Sequence, residues 1–344
     1  MSRRNMETPV SLNKSITQRL GGQNIVVLLI VIGLFAFFSA VSPNFRRYST
    51  LLSILDYSYY ITLIGIGVTF PLITGGVDLS IGTGLICYSL VGGYMVVYQG
   101  WPVWLGMIVC VLCGAIIGLL NGVLIGIMDL TPFLATLCTM MMTRGLGSIF
   151  SRGLGIPWPM VGSEGGWFRT IFKLNIGDVR LPLGFLWIVL LVILMSYILN
   201  HTKVGRYILA IGSNKEATRL SGVNVKLYTI IAYVISGVFA GLAAIAYSAI
   251  FASVYPGTGA GFELEGIGGA IIGGVSMTGG AGSIVGTLLG VFIICILKTG
   301  LPFIGLQANW QQIITGVVLI TAVIVDLNRQ NKGTKSITTA RKKQ

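Results

Sequence analysis

The sequence predicts an all-α polytopic integral membrane protein of about ten transmembrane helices, with an inverted repeat relating spans 2–5 to spans 7–10. Three observations carry this reading. Of 344 residues, 54% are hydrophobic and only 10% charged, where a soluble domain averages roughly 25% charged. The apolar residues gather in long runs, and a helix rising 1.5 Å per residue needs about 20 of them to cross a hydrocarbon core of roughly 30 Å. Finally, two Gly-rich, acid-bearing breaks share a grammar but fall in opposite chain directions, as inverted repeats require.

Taken in order, the spans fall near 25–42, 52–74, 80–98, 103–127, 132–150, 183–200, 227–250, 264–277, 283–300 and 310–326. The first is too long for a secretory h-region and no cleavage signature follows, so it stays as a helix. The eighth is short and Gly-rich, and reads either as a partial span or as continuous with its neighbours. Residues 1–24 form an N-terminal segment, 25–326 the membrane domain and 327–344 a basic tail.

The formal net charge is +13, but the cations form no stripe interleaved with aromatics, so no nucleic-acid partner is implied. They sit in the short polar segments between spans, where orientation is written. With the N-terminus inside, fifteen Lys and Arg fall on the cytoplasmic side and six on the outer side. Both termini are then cytoplasmic, 203–226 is the longest internal cytoplasmic loop, and 151–182 is the longest outer one.

The five cysteines, Cys87, Cys110, Cys113, Cys138 and Cys295, lie in apolar stretches and read as small buried hydrophobes. Cys110 and Cys113 have CxxC spacing, but no second pair or histidine cluster joins them, so no metal site is predicted. Gly114, Gly118, Gly122 and Gly126 recur every four residues on the fourth span. They make a smooth stripe where a neighbouring backbone can approach, and Gly237 and Gly241 repeat the device.

"TGGVDLSIGTG" (74–84) interrupts two apolar runs with Gly75 and Gly76, then places Asp78 and Ser80 ahead of a new helix. Two readings stand. A carboxylate or hydroxyl there caps the orphan amides of a first turn; an acid near membrane depth also suits a polar pathway. "GFELEGIGGAIIGGVSMTGGAGSIVG" (261–286) repeats the pattern with Glu263 and Glu265. Catalysis finds no support: His201 is the single histidine, and no HExxH, GxSxG or GxxxxGK[ST] occurs. Any ATP hydrolysis belongs to another subunit.

Four ordered motifs, "TGGVDLSIGTG", "TPFLATLCTMMMTRGL" (131–146), "GRYILAIGSNKEATRLSGVNV" (205–225) and "FELEGIGGAIIGGVSMTGGAGSIVGTLLGV" (262–291), resemble the ribose-type permeases of bacterial ABC sugar importers. This family is akin to the branched-chain amino-acid permeases. The resemblance covers about residues 25–326. It implies a coupling helix built from Ser213, Asn214, Lys215, Glu216, Ala217, Thr218, Arg219, Leu220, Ser221 and Gly222, docking in a cleft of an ATPase subunit. Glu216, Ala217 and Gly222 match the family's loop, and Thr218 stands where a second alanine is common. Helical spacing puts Ala217, Leu220 and Val223 on one face.

The resemblance further implies a bacterial plasma (inner) membrane location, an extracytoplasmic sugar-binding protein as partner, and a second permease, identical or paralogous. No cofactor binds this chain, and ATP and Mg are used by the partner ATPase. The implied cargo is a monosaccharide, pentose or hexose, moved by alternating access. Pro157, Trp158, Pro159 and Trp167 read either as a docking surface for the binding protein or as an interfacial aromatic lid. An ion-coupled secondary transporter relaying protons through Asp78, Glu263 or Glu265 is the rival reading, followed by a permease for a non-sugar solute. The coupling-helix motif tells against the first rival.

Overall fold

The computed structural model describes residues 9–177, 179–307, 309–321 and 323–324. Its long helices are α1 (Pro9–Val41), α2 (Tyr48–Ile73), α3 (Ser80–Val97), α4 (Val103–Gly126), α5 (Pro132–Ser151), α6 (Leu183–His201), α9 (Val225–Ile250) and α11 (Ile284–Gly300). Between them lie the shorter α7 (Lys203–Ser213), α8 (Lys215–Leu220) and α10 (Phe262–Ile272). Among the described residues, eight helices are long and apolar enough to cross a membrane. The protein is a polytopic all-α membrane protein.

Differences from the predicted spans are local. The span expected at 264–277 is α10, only 11 residues long, and Gly273, Gly274, Gly279 and Gly280 account for its early end by filling the following turn. The chain is helical again over 309–321, within the span expected at 310–326, whose last residues lie outside those described, as does the tail 327–344. Residues 9–24, assigned to an N-terminal segment, are already helical within α1.

α2 and α9 form the centre, and their facing residues are almost all buried. Apolar side chains gain little by leaving lipid for one another, so helices here are held by close backbone approach and polar contacts. The glycine stripe of α4 lies along α9: a Cβ on Gly122 would stand 2.8 Å from Ile230 Cα, and one on Gly126 would stand 3.0 Å from Lys226 O. Side chains at Gly114 and Gly118 would overlap backbone atoms of Gly237 and Tyr233, while Gly241 faces Cys110 in return. The two glycine sets are thus halves of one interface.

The loops define two faces. One carries α7 and α8. The other carries the segment 152–182, in which β1 (Ile156–Pro157) pairs antiparallel with β4 (Ser253–Val254), while β2 (Leu174–Ile176) and β3 (Val179–Leu181) form a hairpin. Arg169 pins this segment to the end of α9 by donating to the carbonyls of Trp158, Pro159, Ala249, Phe251 and Ala252. Burial lowers its pKa from the usual arginine range. Asp56 of α2 accepts Lys173 at 3.2 Å and also pairs with Arg180.

Substituting Gly114 by alanine is expected to lower the thermal unfolding midpoint in detergent by several degrees, since overpacking costs about 1–3 kcal/mol. Gly33→Ala is the control, because nothing lies within 4 Å of its added Cβ, and its midpoint should not move.

Candidate functional site: two helix breaks and the element that touches both

The first break separates α2 from α3. Pro71 inside α2 removes an amide donor near its end, and Gly75 turns the chain with φ +82°. Asp78 follows at 1% exposure. Its Oδ1 accepts the Ser80 amide at 3.0 Å and the Ser80 hydroxyl at 2.6 Å; its Oδ2 accepts the Ser236 hydroxyl of α9 at 2.6 Å. The Asn121 amide of α4 donates to Ser80 Oγ at 3.0 Å, and Thr139 of α5 donates to Asn121 Oδ1 at 2.8 Å. One carboxylate therefore knits α3, α4, α5 and α9 into a sealed network, where every bond is strengthened by the low local dielectric. Gly76 lies against the Tyr233 hydroxyl and Pro132.

The second break precedes α10. The chain leaves α9, passes through β4 and re-enters the helical layer at Gly259 to start α10 beside the start of α3. Gly82 makes this possible, because a Cβ there would overlap the Glu263 carboxylate and stand 2.7 Å from the Glu263 amide nitrogen. Two helix N-termini, each the positive end of a peptide dipole, thus abut inside the protein. Asp78 and Glu263 place a carboxyl group at each of the two ends. Glu265, two residues farther along α10, pairs with Lys298 of α11 at 2.5 Å, and the ammonium lies 4.9 Å from the Tyr57 ring centroid. Among the described residues, Oε2 of both glutamates lacks a hydrogen-bond partner.

The third element is α7 with α8. Asn214 caps α8, its side chain accepting from the Ala217 amide at 2.9 Å. The helix ends in a Schellman turn: Gly222 adopts φ +82°, its amide donates to Arg219 O at 3.0 Å, and the Val223 amide donates to Thr218 O at 3.4 Å. The predicted helix over 213–222 is therefore shorter than expected: Ser213 ends α7, Asn214 is the cap, and Ser221 and Gly222 form the stop. The structure also sets which face of α8 packs inward. Thr218 is the buried residue of α8, whereas Leu220 is 83% exposed, because the Asn214 cap and the glycine stop fix the helix with Thr218 towards the protein. Lys215 stays exposed, as do Glu216 and Arg219, which pair at 2.9 Å.

At the end of α7 the three elements meet. The Gly280 amide, in the turn between α10 and α11, donates to Ile73 O at the end of α2 at 2.9 Å. Gly212 packs on both of those atoms so closely that a Cβ would overlap them, and Ser213 lies against Gly280. The element that carries α8 thus touches the first break and the far end of α10 at one point.

Other expectations need correction. Trp158 is 1% exposed and its indole donates to Ser89 O at 3.1 Å, so it cannot belong to a docking surface; Pro157 and Trp167 are exposed. Cys138 is exposed and Cys113 half-buried, unlike the buried Cys87, Cys110 and Cys295, since α5 turns one face outward. His201 stacks on Tyr197 at 5.1 Å. Arg144 was missed by sequence reasoning. The signal was present: of 23 Lys and Arg, only Arg144 and Lys298 fall inside predicted spans.

A family described as the permease component of branched-chain amino-acid transport systems matches residues 50–323. The chain belongs to this family. It is 35% identical over 319 residues to the ribose import permease RbsC of Escherichia coli, covering 90% of this chain and 94% of that protein. It is 33% identical over 320 residues to the fructose import permease FruG of Bifidobacterium longum, covering 91% and 92%. It is also 32% identical over 331 residues to the galactose/methyl galactoside import permease MglC of E. coli, covering 92% and 97%. No solved structure matches significantly.

Asp78→Ala removes the acceptor of three buried bonds. It is expected to destabilise the permease by at least about 2–3 kcal/mol, the cost of leaving buried donors unsatisfied. Asp78→Asn, which keeps the shape and an acceptor oxygen, should lose less; matched thermal midpoints in detergent decide between them.

Proposed function

We propose that this chain is the membrane-spanning permease of an ATP-driven importer for a monosaccharide, pentose or hexose, handed over by an extracytoplasmic binding protein. Separate ATPase subunits supply the ATP and Mg chemistry, and a second permease, identical or paralogous, completes the pathway. The observation that carries this reading is the contact of α7 with both Ile73 and Gly280. A docked ATPase displacing α8 then moves the end of α2 and the α10–α11 turn together. The names of the sugar-importing relatives support the cargo class.

The reading places the α7–α8 face in the cytoplasm of a bacterial cell, with both termini on that side, in line with the excess of cations there. Abutting starts of α3 and α10 support an internal repeat of spans 2–5 and 7–10, since discontinuous helices of inverted halves meet in this way. Glu263 and Glu265 belong to the pathway side of the second break. Asp78 and Ser80 hold the first break in shape. A conformational switch of this kind needs differential affinity of nucleotide and cargo for the two states.

The test is ATPase activity of the permease reconstituted with its ATPase and binding protein in nanodiscs. Sugar-loaded binding protein should stimulate the wild type severalfold. Glu216→Ala and Arg219→Glu should abolish that stimulation with little change in thermal stability, because an exposed ion pair contributes at most about 1 kcal/mol. Undiminished stimulation in both variants would remove α8 from the transmission interface. Transport driven by an ion gradient without any ATPase would replace the reading with the secondary transporter.

A further inference from the structure

Two cations lie inside membrane-spanning helices, and they are treated differently. Lys298 is satisfied by Glu265. Arg144 is exposed and forms no ion pair among the described residues. It stands in α5 seven residues before Ser151, about 10 Å along the helix from that end. A guanidinium facing hydrocarbon is strongly disfavoured, so such a residue marks a watery path or a charged partner.

The surroundings of Arg144 are polar in a specific way. It lines a hollow of about 10 Å³, room for about one water molecule, together with Thr83 of α3, Thr143 and Thr258. Thr83 and Thr143 share a hydrogen bond at 2.9 Å. One residue before Thr83, Gly82 lies against the Glu263 carboxylate. Glu263 is 8% exposed, its Oε1 accepts the Gly261 amide at 3.0 Å, and its Oε2 has no partner among the described residues. A free guanidinium, a carboxylate with an open acceptor and several hydroxyls form a donor and acceptor set suited to a neutral polyol.

We propose that, in the transport state that widens this hollow, Arg144 and Glu263, with the hydroxyls of Thr83, Thr143 and Thr258, contact the hydroxyls of the translocated sugar where the pathway passes the abutting starts of α3 and α10. The assignment rests on the import reading above, in which the second permease supplies the opposite wall. Arg144 donates two parallel bonds to vicinal hydroxyls, and Glu263 accepts from a third. Lysine keeps the charge but not the planar fork.

Two readouts test it in proteoliposomes holding permease, ATPase and binding protein. The first is ATP-driven uptake of radiolabelled D-ribose, D-fructose and D-galactose. Arg144→Ala and Glu263→Gln should each reduce uptake of the transported sugar at least tenfold, Arg144→Lys should recover part of it, and Arg47→Ala, an exposed cation outside the spans, should stay within twofold of wild type. The second is the reaction of Arg144→Cys with a charged, membrane-impermeant methanethiosulfonate, corrected for the native thiols of the wild type. The introduced thiol should react, and transported sugar should slow the reaction at least threefold.

An unreactive thiol would place Arg144 against lipid and overturn the proposal even if uptake is lost through misfolding. Reaction that sugar leaves unchanged, with uptake within twofold in Arg144→Ala, would also overturn it. If the wild type imports none of the three sugars, the import reading fails, and a reactive thiol then assigns Arg144 to a watery path without sugar contact.

Discussion

A backbone that breaks inside a bilayer has no water to satisfy its free amides and carbonyls, and the fold depends on how two such breaks are settled. The starts of α3 and α10 are brought side by side, which sets two positive dipole ends against each other. Asp78 and Glu263 offset them, and Gly82 lets them approach. Asp78 then reaches Ser80 and Ser236, and through Ser80 the bonds extend to Asn121 and Thr139. Four helices are positioned by the needs of one helix end.

The same economy explains how a signal could cross the protein. A backbone bond from Gly280 to Ile73 joins α2 and the α10–α11 turn, and Gly212 closes over it. Backbone meets backbone where Gly212 packs on Ile73 O and Gly280 N, with the Ser213 hydroxyl beside Gly280. The polar network around Asp78 begins only a few residues beyond, which connects the junction to the layer where the two breaks meet. The segment 152–182 is fixed at the opposite ends of the same two central helices, through Arg169 on the carbonyls at the end of α9 and through Asp56 of α2.

Much of this architecture was legible along the chain. Hydropathy located the long helices to within a few residues apart from the start of α1, and the four-residue spacing of Gly114, Gly118, Gly122 and Gly126 announced an interface. The "SNKEATRLSG" stretch marked a polar element between spans. Which of its faces packs inward was not legible, because the Asn214 cap and the Gly222 stop set the rotation that buries Thr218 and leaves Leu220 exposed. Trp158 looked like an interfacial aromatic and is instead a core residue bonded to Ser89. Arg144 was passed over because a charge within a long apolar run does little to its average.

The sequence by itself determined most of the segments long and apolar enough to cross a membrane, where they break and which segment between them is polar. Those properties are sums over neighbouring residues, so they can be read without knowing what packs where. Only the tertiary structure decided that Lys298 is paired and Arg144 is not, that the glycines of α4 meet those of α9, and that Gly212 lies on Ile73 and Gly280. Each of these joins residues from different helices. In a lipid solvent no local hydropathy pattern selects such partners, because close approach and polar satisfaction between distant segments do.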